Sequence, residues 1–237
     1  VVEGQPKTFI DINRKTLRHI LERSKSIGQL VSIDEASVSS EASIKKICLT
    51  FDDGFSSDHD IVLSDLKRIN AIATFFVTTD WLDRPGYLTK QQVRNLSDAG
   101  MQIGSHSQSH PNFLKITPQE RSVELHKSKD ILENIIGKKI SSFSFPYGFF
   151  DDACVKAVFE AKYSICCTSD HGLSSNLSYI VTRNSINANT SLNRIDKILC
   201  AGLTQQNLWK LEDIIKENMK KYLPKPYAVI RRYFSKL

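Results

Sequence analysis

The sequence has no apolar run of the roughly 18 residues that a membrane-spanning helix needs, no internal repeat and no low-complexity tract. Its first residues do not read as a secretory leader, so none is expected. Because it starts at Val1 without an initiator Met, a trimmed and secreted form stays open, but the expectation is a cytoplasmic or cytoplasmic-membrane-associated bacterial protein. Its five cysteines, Cys48, Cys154, Cys166, Cys167 and Cys200, are odd in number and form no Cys-x-x-Cys pair. That argues against a disulfide framework and for free thiols in a reducing compartment. The formal net charge of +6 falls short of the basic tail that a nucleic-acid-binding chain carries, so no nucleic-acid partner is expected. The basic excess is uneven. Lys216, Lys220, Lys221, Lys225, Arg231, Arg232 and Lys236 crowd the end of the chain, where an anionic membrane surface or a phosphate-bearing substrate could lie.

At 237 residues and 41% hydrophobic content, the chain suits one α/β domain or two small ones. Residues 11–30 read as a helix with Leu17, Ile20 and Leu21 on one face, and 35–44 as a Ser/Ala/Glu-rich loop. Strands and helices then alternate. Strands are expected at 47–51, 71–77, 101–105, 140–145, 164–168 and 179–182. Between them, Thr89 with Gln92 and Thr117 with Glu120 form capping boxes, Pro118 takes the first helical position, and Asp151 caps a third helix. Alternation of this kind predicts a parallel sheet covered by helices. The last segment, 204–222, has Leu208, Leu211, Ile215, Met219 and Tyr222 at helical spacing and reads as an amphipathic helix, packed on the domain or lying at a membrane interface.

Three strings sit at the C-terminal ends of expected strands, the edge where parallel α/β folds and barrels hold their sites. They are Thr50-Phe51-Asp52-Asp53-Gly54, His106-Ser107-Gln108-Ser109-His110 and Phe145-Pro146-Tyr147-Gly148. Taken singly, each has a plain reading: Asp-Gly is a common turn pair, the histidines could be surface imidazoles, and Pro-Tyr-Gly could simply end a strand. Taken together they point to chemistry. Adjacent carboxylates repel unless a cation relieves them, leaving one as ligand and the other as base. Two imidazoles and a carboxylate leave open coordination positions on Zn²⁺, or on Co²⁺ or Ni²⁺. A backbone N–H in the Pro146-Tyr147-Gly148 turn could face a developing oxyanion. His19, His59 and His126 read as residues without chemistry; Trp81 and Trp209 read as packing groups, although Trp81 could line a groove at the same edge.

These strings, in this order and spacing, resemble the polysaccharide deacetylase family, also called carbohydrate esterase family 4 or the NodB-homology deacetylases. The likeness runs from about Lys45 to Arg183 and includes Ala73-Thr74-Phe75-Phe76-Val77. The resemblance implies a distorted (β/α) barrel with a parallel strand core. It implies Asp52 as general base, Asp53, His106 and His110 as metal ligands, and the Tyr147 N–H as oxyanion donor. Two positions depart from the family pattern. The Arg that often holds the catalytic Asp has Ser144 or Phe145 in its place, and Arg183 is the expected substitute. No His follows His171, so the general acid is His171, another residue, water or a partner domain.

The organisation expected is a helix and loop over 1–44, a single catalytic domain over 45–200, and a basic amphipathic helix and tail over 201–237. The function expected is metal-dependent removal of N-acetyl groups from amino sugars of a surface or cell-wall polysaccharide or its precursor. The substrate would be an N-acetylated glycan or a lipid-linked amino sugar, with membrane contact through the tail. The rivals are an amide hydrolase of the same fold acting on a non-sugar substrate, and a sugar-binding relative without catalysis.

Overall fold

The computed structural model describes residues 1–6, 8, 10–38, 44–174, 179–201, 206–211 and 218. In chain order its elements are α1 (Arg14–Ile27), β1 (Gln29–Leu30), α2 (Ile33–Val38), β2 (Lys46–Ile47), β3 (Thr50–Phe51), α3 (Leu63–Arg68), β4 (Thr74–Val77), α4 (Lys90–Asp98), β5 (Gln102–Ser105), α5 (Pro118–Ile136), β6 (Ser142–Ser144), α6 (Asp152–Glu160), β7 (Ile165–Cys167), β8 (Ile180–Val181) and α7 (Leu192–Cys200). They divide between two compact units. One comprises Gly28–Ser169 and Ser174–Val181; the other comprises Val1–Ile27, Asp170–Leu173 and Thr182–Leu237.

The first of these units is built on a six-stranded sheet in the order β3-β4-β5-β6-β7-β8, every pair parallel. This is the parallel strand core of a distorted (β/α) barrel. Its strands are short and apolar because helices cover them: Thr74, Phe75, Phe76 and Val77 are all buried. Gly104 on β5 is required by packing, since a Cβ there would lie 2.5 Å from the Phe76 ring and 2.8 Å from Ser142 Oγ. The strand register carries Asp52, His106 and Phe145 out of the same edge of the sheet, each directly after its strand or one turn of chain beyond.

Local chemistry sets the helix ends. Thr89 and Gln92 close a capping box on α4, Thr117 and Glu120 close one on α5, and Asp151 accepts the Cys154 N–H at the start of α6. Gly137 ends α5 in the left-handed conformation, at φ 68°. The stretch before α3 is a π-type turn, Asp58–Val62.

Three details differ from the sequence reading. The apolar run 47–51 is not one strand. Ile47 pairs with Leu30 in a separate two-stranded sheet, whereas Thr50 pairs with Thr74; the chain changes sheets through Cys48 and Leu49. An apolar run reports burial, not which partner it meets. Second, the expected loop after residue 34 begins as α2: Ser32 Oγ accepts the Glu35 N–H, and Asp34 and Glu35 suit a helix N-terminus. Ile33 reaches the core with Phe76, Ile165 and Cys167. Third, the helix α7, capped by Ser191, had no counterpart in the sequence reading.

In the other unit, α1 carries Leu17, Ile20 and Leu21 on its buried face, and its His19 Nε2 lies 2.9 Å from Asp196 of α7. Residues 206–211 are helical and Trp209 is buried. Most of the expected helix 204–222 and the basic stretch 216–236 lies outside the described residues. Among the described residues, no helix is long and apolar enough to cross a membrane.

Candidate metal centre

The chain leaves β3 through two consecutive left-handed residues, Asp53 at φ 79° and Gly54 at φ 80°. Glycine takes that conformation readily; aspartate does so at a cost that the surroundings must offset. A Cβ on Gly54 would also press on Val77 Cγ1 at 3.2 Å. The second string leaves β5 in the same way, with Ser107 at φ 70° and His110 at φ 63°, and Tyr147 sits at φ 60°. Positive φ at non-glycine residues is uncommon, so its concentration in all three strings marks this edge as a place where side-chain position outweighs backbone ease.

These turns bring one oxygen against two rings. Asp53 Oδ1 lies 3.4 Å from His106 Nε2 and 3.2 Å from His110 Nε2. The ligating atoms of all three side chains fall within 4.8 Å of one another. Metal–ligand bonds of about 2.0–2.1 Å in a tetrahedral site give ligand–ligand separations of about 3.3–3.4 Å. The observed spacings fit a single small divalent cation held in common.

The electrostatics fit as well. Burial by itself would push the Asp53 carboxyl up, but hydrogen bonds and charge from His106 and His110 overcome it and hold Asp53 well below the usual carboxylate range. Burial, joined by repulsion from His106, lowers His110 below an ordinary imidazole despite the Asp53 hydrogen bond. An ionised carboxylate and a neutral imidazole are the protonation states that metal binding needs.

The two imidazoles are held differently. His106, 2% exposed, has Nδ1 2.8 Å from the Ser144 carbonyl. Nδ1–H donates there, which makes Nε2 the ring nitrogen that faces Asp53 and the one available as a ligand. His110 Nδ1 is buried with no hydrogen-bond partner among the described residues. Its ring is packed between Trp81 and Tyr147, with centroids 4.7 and 4.5 Å away.

Asp52 stands beside this cluster, its Oδ2 4.0 Å from His106 Nε2 and its side chain 32% exposed. Ser144 Oγ donates to the same Oδ2 at 3.4 Å. Ser144, one of the two positions that the resemblance matches to the family's Arg, therefore contacts Asp52 through its hydroxyl. His171 and Arg183 belong to the other unit, where the Arg183 N–H donates to the Asp170 carbonyl.

The polysaccharide deacetylase family matches residues 39–166 of this sequence. The chain belongs to that family.

Among the family's relatives, YxkH of Bacillus subtilis is 27% identical over 131 residues, covering 55% of this chain and 47% of that protein. The peptidoglycan-N-acetylglucosamine deacetylase PgdA of Listeria monocytogenes is 39% identical over 106 residues, covering 44% of this chain and 22% of that protein. The chain thus spans less than half the length of these curated relatives. The solved structure of the Streptococcus pyogenes deacetylase PplD in complex with acetate superposes with a TM-score of 0.73 at 23% identity, covering 82% of this chain and 89% of that one. At that identity the likeness concerns the fold, and the parallel-stranded (β/α) barrel core is common to both.

Two acidic residues near the deacetylase-family strings escaped the sequence reading. Asp58, 3% exposed in the π-type turn, is pushed above an ordinary carboxyl by burial, with the charges of Asp53 and Asp52 adding to the effect. Glu124 on α5 accepts hydrogen bonds from the loop between the two histidines. No local pattern announces either residue: each is one acid among many on a helical stretch, and only the fold reveals what it faces.

Proposed function

We propose that this chain is a divalent-metal-dependent deacetylase that removes N-acetyl groups from amino sugars. The observation that carries the reading is the meeting of Asp53, His106 and His110 around one point, with a separate carboxylate, Asp52, at its side. Family membership supplies the reaction class. The name of the PgdA relative suggests a substrate of the peptidoglycan or related glycan class carrying N-acetylglucosamine.

In this reading Asp53, His106 and His110 hold Zn²⁺, or Co²⁺ or Ni²⁺ in its place. When bound, such an ion would supply Lewis acidity for the acetyl carbonyl and for the attacking water. Asp52 takes the proton from a water molecule as the water oxygen attacks the carbonyl carbon. The Tyr147 N–H faces the oxygen that gains negative charge. Collapse breaks the carbon–nitrogen bond, the amine leaves with a proton, and acetate and a free amino sugar result. His171 is the proposed proton donor to the amine, and Arg183 the proposed second support for Asp52; both stand in for residues of the family pattern that this sequence lacks, and both rest on the sequence alone. The exposed Tyr147 ring and the half-buried Trp81 and Tyr87 offer apolar faces of the kind on which sugar rings stack. Contact between the basic tail and a membrane-borne, lipid-linked sugar on the cytoplasmic side rests on the sequence alone. Co-sedimentation with anionic vesicles, with and without residues 204–237, tests it.

A substrate panel tests the reaction class. Acetate release from N-acetylglucosamine oligomers that exceeds release from N-acetylated peptides and amino acids supports the proposal. The reverse preference would assign the chain to non-sugar amides, and sugar binding without any release would make it a binding module.

A further inference from the structure

We infer that Glu124 is a positioning residue for the metal centre: its carboxylate clamps the loop that joins the two histidines and so fixes where His110 stands. This rests on reading Asp53, His106 and His110 as a metal site.

His106 and His110 are separated by three residues, yet both Nε2 atoms reach the same Asp53 oxygen. The chain achieves this by doubling back through left-handed residues at Ser107 and His110. Such a conformation persists only where the surroundings hold it. Inside the loop, Ser107 Oγ accepts the His110 N–H at 3.0 Å. The 3-10 turn at Thr79–Trp81 supports one side, as the Asp80 N–H donates to the Gln108 carbonyl at 2.9 Å and the Gln108 amide to Asp80 Oδ1 at 3.2 Å.

Glu124 supports the side facing α5. The Gln108 and Ser109 N–H groups both donate to its Oε2, each at 2.8 Å, and Ser109 Oγ donates to Oε1 at 2.6 Å. Successive backbone N–H groups aimed at one anion form a nest, and hydrogen bonds to a carboxylate are among the stronger ones. The helix carrying Glu124 is tied to the loop a second time, because Ser105 Oγ, which accepts the Ser107 N–H, donates to Ser128 Oγ.

The clamp matters more for His110 than for His106. Metal-ligating histidines ordinarily fix their rings by donating the other ring N–H to a carbonyl or carboxylate. His106 does so through Ser144, whereas among the described residues His110 Nδ1 has no such partner. The position of His110 therefore depends on its backbone and on the flanking rings, and the backbone is what Glu124 holds.

The test is a Co²⁺ titration of the full chain, followed by visible absorption, for wild type and Glu124 variants, with thermal unfolding of the metal-free proteins alongside. Glu124→Ala is expected to raise the Co²⁺ Kd about 10–100-fold, the range typical for lost outer-shell partners, and to alter the absorption envelope. Glu124→Gln keeps an acceptor for both N–H groups and is expected to restore most of the affinity. Glu124→Asp retains the charge but withdraws the oxygens, so it is expected to weaken binding; it replaces the alanine variant should that fail to fold. A wild-type Kd and spectrum in Glu124→Ala or Glu124→Asp overturns the clamp while leaving the metal reading intact. Wild-type protein that takes up no Co²⁺ overturns the metal reading and the clamp with it.

Discussion

Replacing Asp52 with asparagine separates the two neighbouring carboxylates by role. The change is nearly isosteric, and Ser144 Oγ, 3.4 Å from Asp52 Oδ2, can donate to the asparagine carbonyl as it does to the carboxylate. Asp53, not Asp52, makes the close contacts with the imidazoles, at 3.2 and 3.4 Å against 4.0 Å. Asp52→Asn should therefore still load metal but lack a base. A positioned general base contributes about 10²–10⁴ in rate, which is about 2.7–5.4 kcal/mol at 1.36 kcal/mol per tenfold. The assay is kcat for acetate release at saturating Zn²⁺, with bound metal measured on the same sample. Asp53→Asn is the control in the opposite sense: its activity should rise as Zn²⁺ is added, because its defect is in occupancy, whereas Asp52→Asn should not respond. Asp52→Asn turning over within tenfold of wild type, with metal bound, would refute the assignment of Asp52 as base.

Other expectations follow from single contacts. Ser144→Ala removes the hydroxyl donor to Asp52 but keeps the carbonyl that accepts from His106, so kcat should fall about 2–10-fold, as for one lost hydrogen bond, with the Zn²⁺ Kd unchanged. Gly104→Ala forces a methyl to within 2.5 Å of the Phe76 ring, and overpacking of this kind costs about 1–3 kcal/mol; thermal unfolding should shift down by several degrees. The metal-free protein should lose stability on acidification. His110 is lowered in the folded state, so the unfolded chain takes up its proton first and stability falls as pH drops below about 6.5; Asp53, also lowered, adds a second loss below about 3.9. Unfolding midpoints that stay flat between pH 7 and pH 5 in wild type, and equal to those of His110→Gln, would contradict this.

The strings at the strand ends were legible because each carries its own spacing: adjacent carboxylates before a glycine, and histidines four apart after an apolar run. The helix ends were legible for a similar reason, since Thr89 with Gln92 and Thr117 with Glu120 are local patterns. What remained hidden is non-local. Nothing near Ser144 in sequence tells that its hydroxyl meets Asp52 and its carbonyl meets His106. Glu124 lies on a helix whose exposed face carries many charges, and its loop partners are named only by the packing of α5. The break at Cys48 and Leu49 was hidden for another reason. An apolar run looks the same in sequence whether a strand continues in one sheet or the chain moves to the next.

One ion, held by Asp53, His106 and His110, should be needed for amide hydrolysis. Chelated protein titrated with Zn²⁺, with bound metal and acetate release from N-acetylglucosamine oligomers measured in the same samples, tests it most directly. The chelated protein should release no acetate, and release should rise in step with occupancy and saturate near one ion per chain. Full activity in the chelated protein, or a bound ion with no release from any N-acetylated glycan, would contradict it.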